Sequence, residues 1–126
     1  MMLTQHPIYH EGERFIGVSG VITRTQMGVD LDHPQFRIAV EIKKDDGFQA
    51  FVQMISVPAE HVTANLQTAV LGILNAAHVA DWERLAGQRV IALYRDDRDG
   101  RLGYIAGLCD TKGENIFLAL HVTVDA

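Results

Sequence analysis

Three groups of side chains in this chain have the types and spacing to do chemistry. Asp30, Asp32 and His33 crowd one stretch, and carboxylates beside an imidazole can hold a metal or move protons. The same Asp-x-Asp-His-Pro order also makes a good turn, because aspartate bonds its own backbone. His6 and His10 stand four apart with Glu11 and Glu13 nearby, a metal-ligand spacing only if the segment is helical. Pro7 and Gly12 argue against a helix there. Arg84, Arg89, Arg95, Arg98 and Arg101 gather in the second half, and arginine forks suit phosphate or carboxylate ligands. Asp81, Glu83, Asp96, Asp97 and Asp99 match them in number, so mutually screened surface pairs are the competing reading.

Other features fail as chemistry. Residues 95–100 read RDDRDG, but an arginine holds the first ligand position of a calcium loop and Ala106 holds the bidentate one, which leaves a hairpin tip. Cys109 sits in an apolar strand without a neighbouring base, as a core thiol does. His61, His78 and His121 are scattered, and His78 is placed to meet a helix C-terminus, where the dipole favours a cation. No phosphate loop, GxGxxG, GxSxG, HExxH or CxxC pattern is present, and no cofactor is implied.

The elements that would position these groups are legible from periodicity. Pro58 to Ala77 places Val62, Leu66, Ala69, Val70, Ile73, Leu74 and Ala77 on one helical face, with Pro58 suited to the first turn. Phe36 to Lys43 alternates cleanly, with Phe36, Ile38, Val40 and Ile42 inward. A turn at Asp46-Gly47 then leads to a strand over Phe48 to Val57. Residues 15–27 read as a strand interrupted by Gly17 and Gly20, which marks a bulge or a close backbone approach. Gly28 to Pro34 reads as a loop. After the helix, Asp81 to Gly87 reads as a single capped turn whose Trp82 and Leu85 plug the core. Strands follow over Arg89 to Asp96, Leu102 to Cys109 and Ile116 to Val124. The order βββ-α-βββ predicts an α+β fold, with one main helix packed on a curved, antiparallel sheet of about six strands. Residues 1–13 show no period and read as a poorly ordered N-terminal segment, with a single domain over 14–126.

Bulk properties bound the function. The 126 residues are 48% hydrophobic and 21% charged, with a net charge of −5 from 16 acidic and 11 basic residues. That balance disfavours non-specific nucleic-acid binding, which needs cations to neutralise phosphates. The start MMLTQHPIYHEGER has no basic head and apolar run, and no stretch is apolar for long enough to cross a membrane. A cytoplasmic protein is the expectation.

At Asp32-His33, at Gly47-Phe48-Gln49-Ala50-Phe51, and along VADWERLAGQRVIALYRDDRDGRLGYIAG, the chain resembles a group of small phage and prophage proteins. The matching features are an early Asp-His, a Gly-Phe segment, and Trp82, Glu83, Leu85, Gly87, Val90, Arg95, Asp96 and Asp97. The middle segment departs from the group's pattern, with Gln49 and Ala50 where its glycine pair stands. The resemblance implies a mobile-element accessory protein acting in the host cytoplasm, and no particular reaction.

The candidate ligand-binding set is Arg89, Arg95, Arg98, Arg101, Asp32, His33, Phe48 and Phe51, with no catalytic or metal residue assigned. The first expectation is a non-enzymatic binding protein that counters a host defence, by binding a host protein or by sequestering a nucleotide-like anionic small molecule. The strands over Phe48 to Val57 and Arg89 to Asp96 read as apolar on both faces, which one helix cannot cover, so a homo-oligomer is expected. The alternatives are a small metal-dependent hydrolase using Asp30, Asp32 and His33, or a virion or assembly component.

Overall fold

A computed structural model describes residues 5–30, 32, 35–97 and 101–121. Its elements run β1 (Gln5–His10), β2 (Glu13–Asp30), β3 (Gln35–Lys44), β4 (Gln49–Pro58), a 3-10 turn over Ala59–His61, α1 (Val62–Ala77), a second 3-10 turn over Trp82–Arg84, β5 (Arg89–Asp97), β6 (Arg101–Cys109), β7 (Ile116–Leu118) and β8 (Leu120–His121). The class is α+β, as the pattern of periods requires. The sheet has eight strands rather than about six, in the order β7-β6-β5-β2-β3-β4-β8, with β1 also paired to β2. All pairs are antiparallel except β4 with β8.

The two ends of that order are consecutive in the chain. β7 pairs with β6, the Ala119 N–H donates to the Ala106 carbonyl at 2.8 Å, and β8 pairs with β4 one residue further on. One short segment therefore bridges both edges, and the sheet closes on itself. Closure leaves no exposed edge at β4 or β6 over that stretch, and edges are what sheets must protect.

The inner face carries the main core. Ile22, Ile38, Val40, Ile42, Val52, Ile55, Val90, Ala92, Leu108 and Phe117 from the strands meet Ala69, Ile73, Ala76 and Ala77 of α1. Phe117 packs against the helix where Gly72 has no side chain; a Cβ there would come within 2.1 Å of the ring. Leu85 is fully buried in this core. Trp82 packs against it while its Nε1–H donates to Thr25 Oγ1 at 3.2 Å. Asp81 stands at the cap position of that turn but makes no capping bond, and pairs with Arg84 instead. Pro58 closes β4 rather than opening the helix.

Three further expectations are corrected. Gln5–His10 is a strand, joined to β2 by a two-residue turn with positive φ at both Glu11 and Gly12. Right-handed strand twist favours that turn type. Pro7 is tolerated because β1 pairs with β2 alone. Gly28 to Asp30 continues β2 rather than forming a loop.

The third correction removes the two-faced strands. Ile38 pairs with Ile55 but Ala39 pairs with Gln53, so Met54 is an extra, bulged residue. The bulge returns Ile55 to the inner face beside Val52, and the outer face of β4 becomes Phe51, Gln53 and Ser56. On β5 the outer face is apolar, but the chain covers it itself. Phe15, Ile91, Leu93, Ala106 and Cys109 form a second buried cluster, packed by Ile8, Ile116 and Leu118. Ile8 of β1 reaches over β2 to the β6–β7 turn, where a Cβ on Gly113 would lie 3.1 Å from it. The surplus apolar surface that called for a second copy is therefore satisfied within one chain on β5 and absent on β4, except at Phe51.

Helix α1 ends with His78 in the left-handed region (φ 60°), its N–H bonded to the Asn75 carbonyl at 3.1 Å and the Val79 N–H to that of Leu74 at 3.0 Å. Glycine is the usual residue there because a Cβ crowds the carbonyl. His78→Gly is expected to raise stability by about 1 kcal/mol in urea denaturation, since His78 is exposed and the strain disappears.

Candidate functional site

The sequence-derived arginines are scattered and mostly engaged. Arg89 forks onto Asp45, with Nη1 at 3.2 and 3.3 Å from the two carboxylate oxygens. Arg95 pairs with Glu13 and lies 5.0 Å from the centroid of the Phe15 ring and 5.9 Å from that of Tyr104. Arg98 and His33 fall outside the described residues, as does the side chain of Arg101. Asp32 is an exposed turn residue between β2 and β3, and Asp30 ends β2. Phe48 is exposed at the β3–β4 hairpin, and its N–H donates to Asp46 Oδ1 at 2.9 Å. Among the described residues, no three His, Cys, Asp or Glu side chains gather as a metal site would require.

Of that set, Arg89 borders a small hollow of about 120 Å³ beside the end of α1, shared with Asp110 and Glu114, and Phe51 lines a larger groove. On the outer face of β2, β3 and β4 lies a hollow of about 460 Å³ bordered by residues 25–29, Arg37, Ala39, Phe51 and Gln53. Small-molecule sites fall in this size range. The register shows how the strands build it. Gly28, Arg37 and Ser56 stand in one cross-strand row, Gln26, Ala39 and Gln53 in the next, and Arg24, Glu41 and Phe51 in a third. Gly28 and Ala39 supply the hollow, because neither has a side chain beyond Cβ. Two bulges frame it, at Met54 on β4 and at Thr23 on β2, where Ile22 pairs with Ile42 but Arg24 with Glu41. Bulges bend strands and re-aim side chains, and often border functional sites.

The electrostatics of this groove differ from the rest of the chain. Arg14, Arg24, Arg84, Arg89 and Arg95 each pair with a carboxylate. Arg37 is the arginine that has no such partner among the described residues. Its register neighbours, Gly28 and Ser56, explain why: neither carries a charge. Among the described residues no carboxylate lines the groove, and the formal charge they bring to it is positive in a chain of net charge −5. Sequence reasoning weighed arginines by local density and passed over Arg37. Local sequence could not single it out: Arg24 and Arg89 likewise have no acidic residue two places either side, yet pair across strands with Glu41 and Asp45.

Two other polar clusters are structural. Lys44 Nζ sits 3.4 Å from Asp46 Oδ2 and 5.0 Å from the centroid of the Tyr94 ring. Burial works against its charge, but a hydrogen bond with Tyr94, the charge on that side chain and the Asp46 carboxylate outweigh it and raise its pKa. Cys109 is buried, and that burial, with Asp110 beside it, pushes its thiol up to about 12. It is no nucleophile at neutral pH.

Asp110 is itself buried at the β6–β7 turn. It accepts the Glu114 N–H at 2.9 Å and the Asn115 Nδ2–H at 2.7 Å. Burial alone would raise its pKa, but these bonds, with the N–H groups of Lys112 and Asn115, hold it below the usual carboxylate range. A depressed folded-state pKa gives stability that is fully present above the unfolded value and is lost as pH falls through the folded one. Asp110→Asn is expected to cost about 1–2 kcal/mol at pH 7 and to lose less further stability than the wild type on acidification below about pH 4. Urea titrations at pH 7 and pH 3 measure both.

Fold and groove together define an α+β protein with a closed, mostly antiparallel sheet and a cationic hollow on its outer face. No family model matches the chain, and no curated protein matches it. No helix among the described residues is long and apolar enough to cross a membrane.

Proposed function

We propose that this chain is a non-enzymatic binding protein of phage or prophage origin that captures a small anionic molecule in the groove on β2, β3 and β4. The observation that carries the proposal is Arg37, a cation that among the described residues has no carboxylate partner, in a hollow that no described carboxylate lines. The resemblance at Asp32-His33, Gly47-Phe48 and Trp82 to Asp97 supplies the phage context, and with it action in the host cytoplasm against a defence that uses a small-molecule signal.

Capture replaces the expected arginines by Arg37, since Arg89 and Arg95 already hold Asp45 and Glu13. A screen of small anions by thermal shift tests it. A bound ligand raises stability by mass action, about 2.7 kcal/mol at a hundred times Kd. Arg37→Gln is expected to abolish the shift while changing the ligand-free melting temperature little, because Arg37 is exposed and forms no ion pair among the described residues. A shift that survives in Arg37→Gln, or none with any anion, overturns the reading.

A second reading is supported by Phe48 and Phe51, which are both exposed near the β3–β4 hairpin and fit a surface that blocks a host protein or meets a second copy. Under that reading Phe48→Ser abolishes association measured by light scattering or binding to the target, and no anion shifts the melting temperature. The hydrolase alternative requires Asp30, Asp32 and His33 to converge on a metal. Its test is metal-dependent turnover that Asp32→Asn removes.

A further inference from the structure

The rows of the groove specify more than an anion. From Arg37 to Glu41, the residue opposite Phe51, is four residues along β3, a separation of about 13 Å. Arg37 borders the groove at one end and the Phe51 ring stands half exposed at the other. A compact anion such as phosphate would use Arg37 and leave the rest of the hollow empty. Between the two ends, Gln26 and Gln53 flank Ala39, whose methyl group makes a flat, nearly buried floor. Each glutamine amide offers both a donor and an acceptor. The carboxylate opposite Phe51 in register, Glu41, is neutralised by Arg24 rather than held by Arg37.

An aromatic face, two donor–acceptor amides over a flat floor, and a cation one ligand length away match a planar heterocycle joined to a phosphate. We propose that the groove binds a nucleoside monophosphate. The base lies against Phe51, its edge is read by Gln26 and Gln53, and the phosphate sits on Arg37. This rests on the reading of the groove as a capture site and narrows its ligand class. Stacking on an aromatic side chain and a charged hydrogen bond to phosphate each contribute independently, so the two ends can be tested apart.

The test is calorimetric titration of the full chain with the four common ribonucleoside monophosphates, their nucleosides, ribose 5-phosphate and inorganic phosphate. At least one nucleotide is expected to bind tenfold or more tightly than its nucleoside and than ribose 5-phosphate. Arg37→Gln should reduce nucleotide affinity to that of the nucleoside, and Phe51→Ala should reduce it to that of ribose 5-phosphate. Gly28→Val should remove all binding with the fold intact, because a Cβ at Gly28 meets nothing within 4 Å and only fills the groove. If ribose 5-phosphate or inorganic phosphate binds as tightly as every nucleotide, capture of an anion stands and the nucleotide assignment falls. If nothing in the set binds and no other anion shifts the melting temperature, both fall. Binding that Gly28→Val leaves unchanged places the ligand elsewhere and overturns the assignment.

Discussion

Gly107→Ala is expected to destabilise the fold by about 3 kcal/mol, a large share of the 5–15 kcal/mol that holds a typical domain together. A Cβ at Gly107 would lie 2.2 Å from the Phe117 carbonyl oxygen and 3.0 Å from the Leu118 Cα. Both neighbours are backbone, so no rotamer change makes room. The added methyl can fit only if β7 moves off β6 at the Gly107–Leu118 pair, and the same segment is what carries the chain on to β4. Separation there opens the closed sheet. Urea denaturation and thermal melting followed by circular dichroism measure the loss, and a drop of roughly 10 °C is expected. Gly72→Ala makes the comparison sharper. Its added methyl also collides, at 2.1 Å, but with the Phe117 ring, which can rotate away. A smaller cost at Gly72 than at Gly107 would place the constraint in the β6–β7 backbone. Equal costs, or a near-neutral Gly107→Ala, would mean that β7 does not hold the sheet closed.

Regular periods in the sequence reveal the elements, and single extra residues conceal how their faces are used. The alternation of Phe36 to Ile42 and the helical face of Val62 to Ala77 survive into the structure because nothing interrupts them. β4 misleads because one bulged residue, Met54, inverts the pattern halfway along. Read as strict alternation, Phe51 and Ile55 share a face; in the fold they oppose each other. β1 was invisible because QHPIYH has neither length nor period, and its place is fixed by contacts with Val18 to Glu13 and with the β6–β7 turn. Site residues were harder still. Arg95 and Arg89 looked available because their carboxylates lie 82 and 44 residues away in the chain. Arg37 looked ordinary for the converse reason. Whether an arginine is engaged depends on its cross-strand neighbours, and those appear only once the register is known.

Phe15→Ala is expected to cost about 3–5 kcal/mol, as large aromatic truncations in a packed core do. The claim is specific because Phe15 faces outward from the closed sheet, where a lone strand pattern would place it in solvent. It is fully buried there, in the cluster with Ile91, Leu93 and Cys109, under the β1 hairpin. Its ring also lies 5.0 Å from the Arg95 guanidinium carbon, opposite it in the β2–β5 register, so truncation weakens the Arg95–Glu13 pair as well. The loss should be local before it is global. With Phe15 gone, Ile8 loses its support, and limited proteolysis should cut within residues 5–13 at urea concentrations where the inner core is still folded. Phe15→Leu, which keeps most of the volume, should lose less than half as much and retain protection of β1. A cost below about 1 kcal/mol for Phe15→Ala would mean that the outer cluster is not a core. The apolar outer face of β5 would then again need a second copy of the chain to cover it, and light scattering of the variant and the wild type would show that copy.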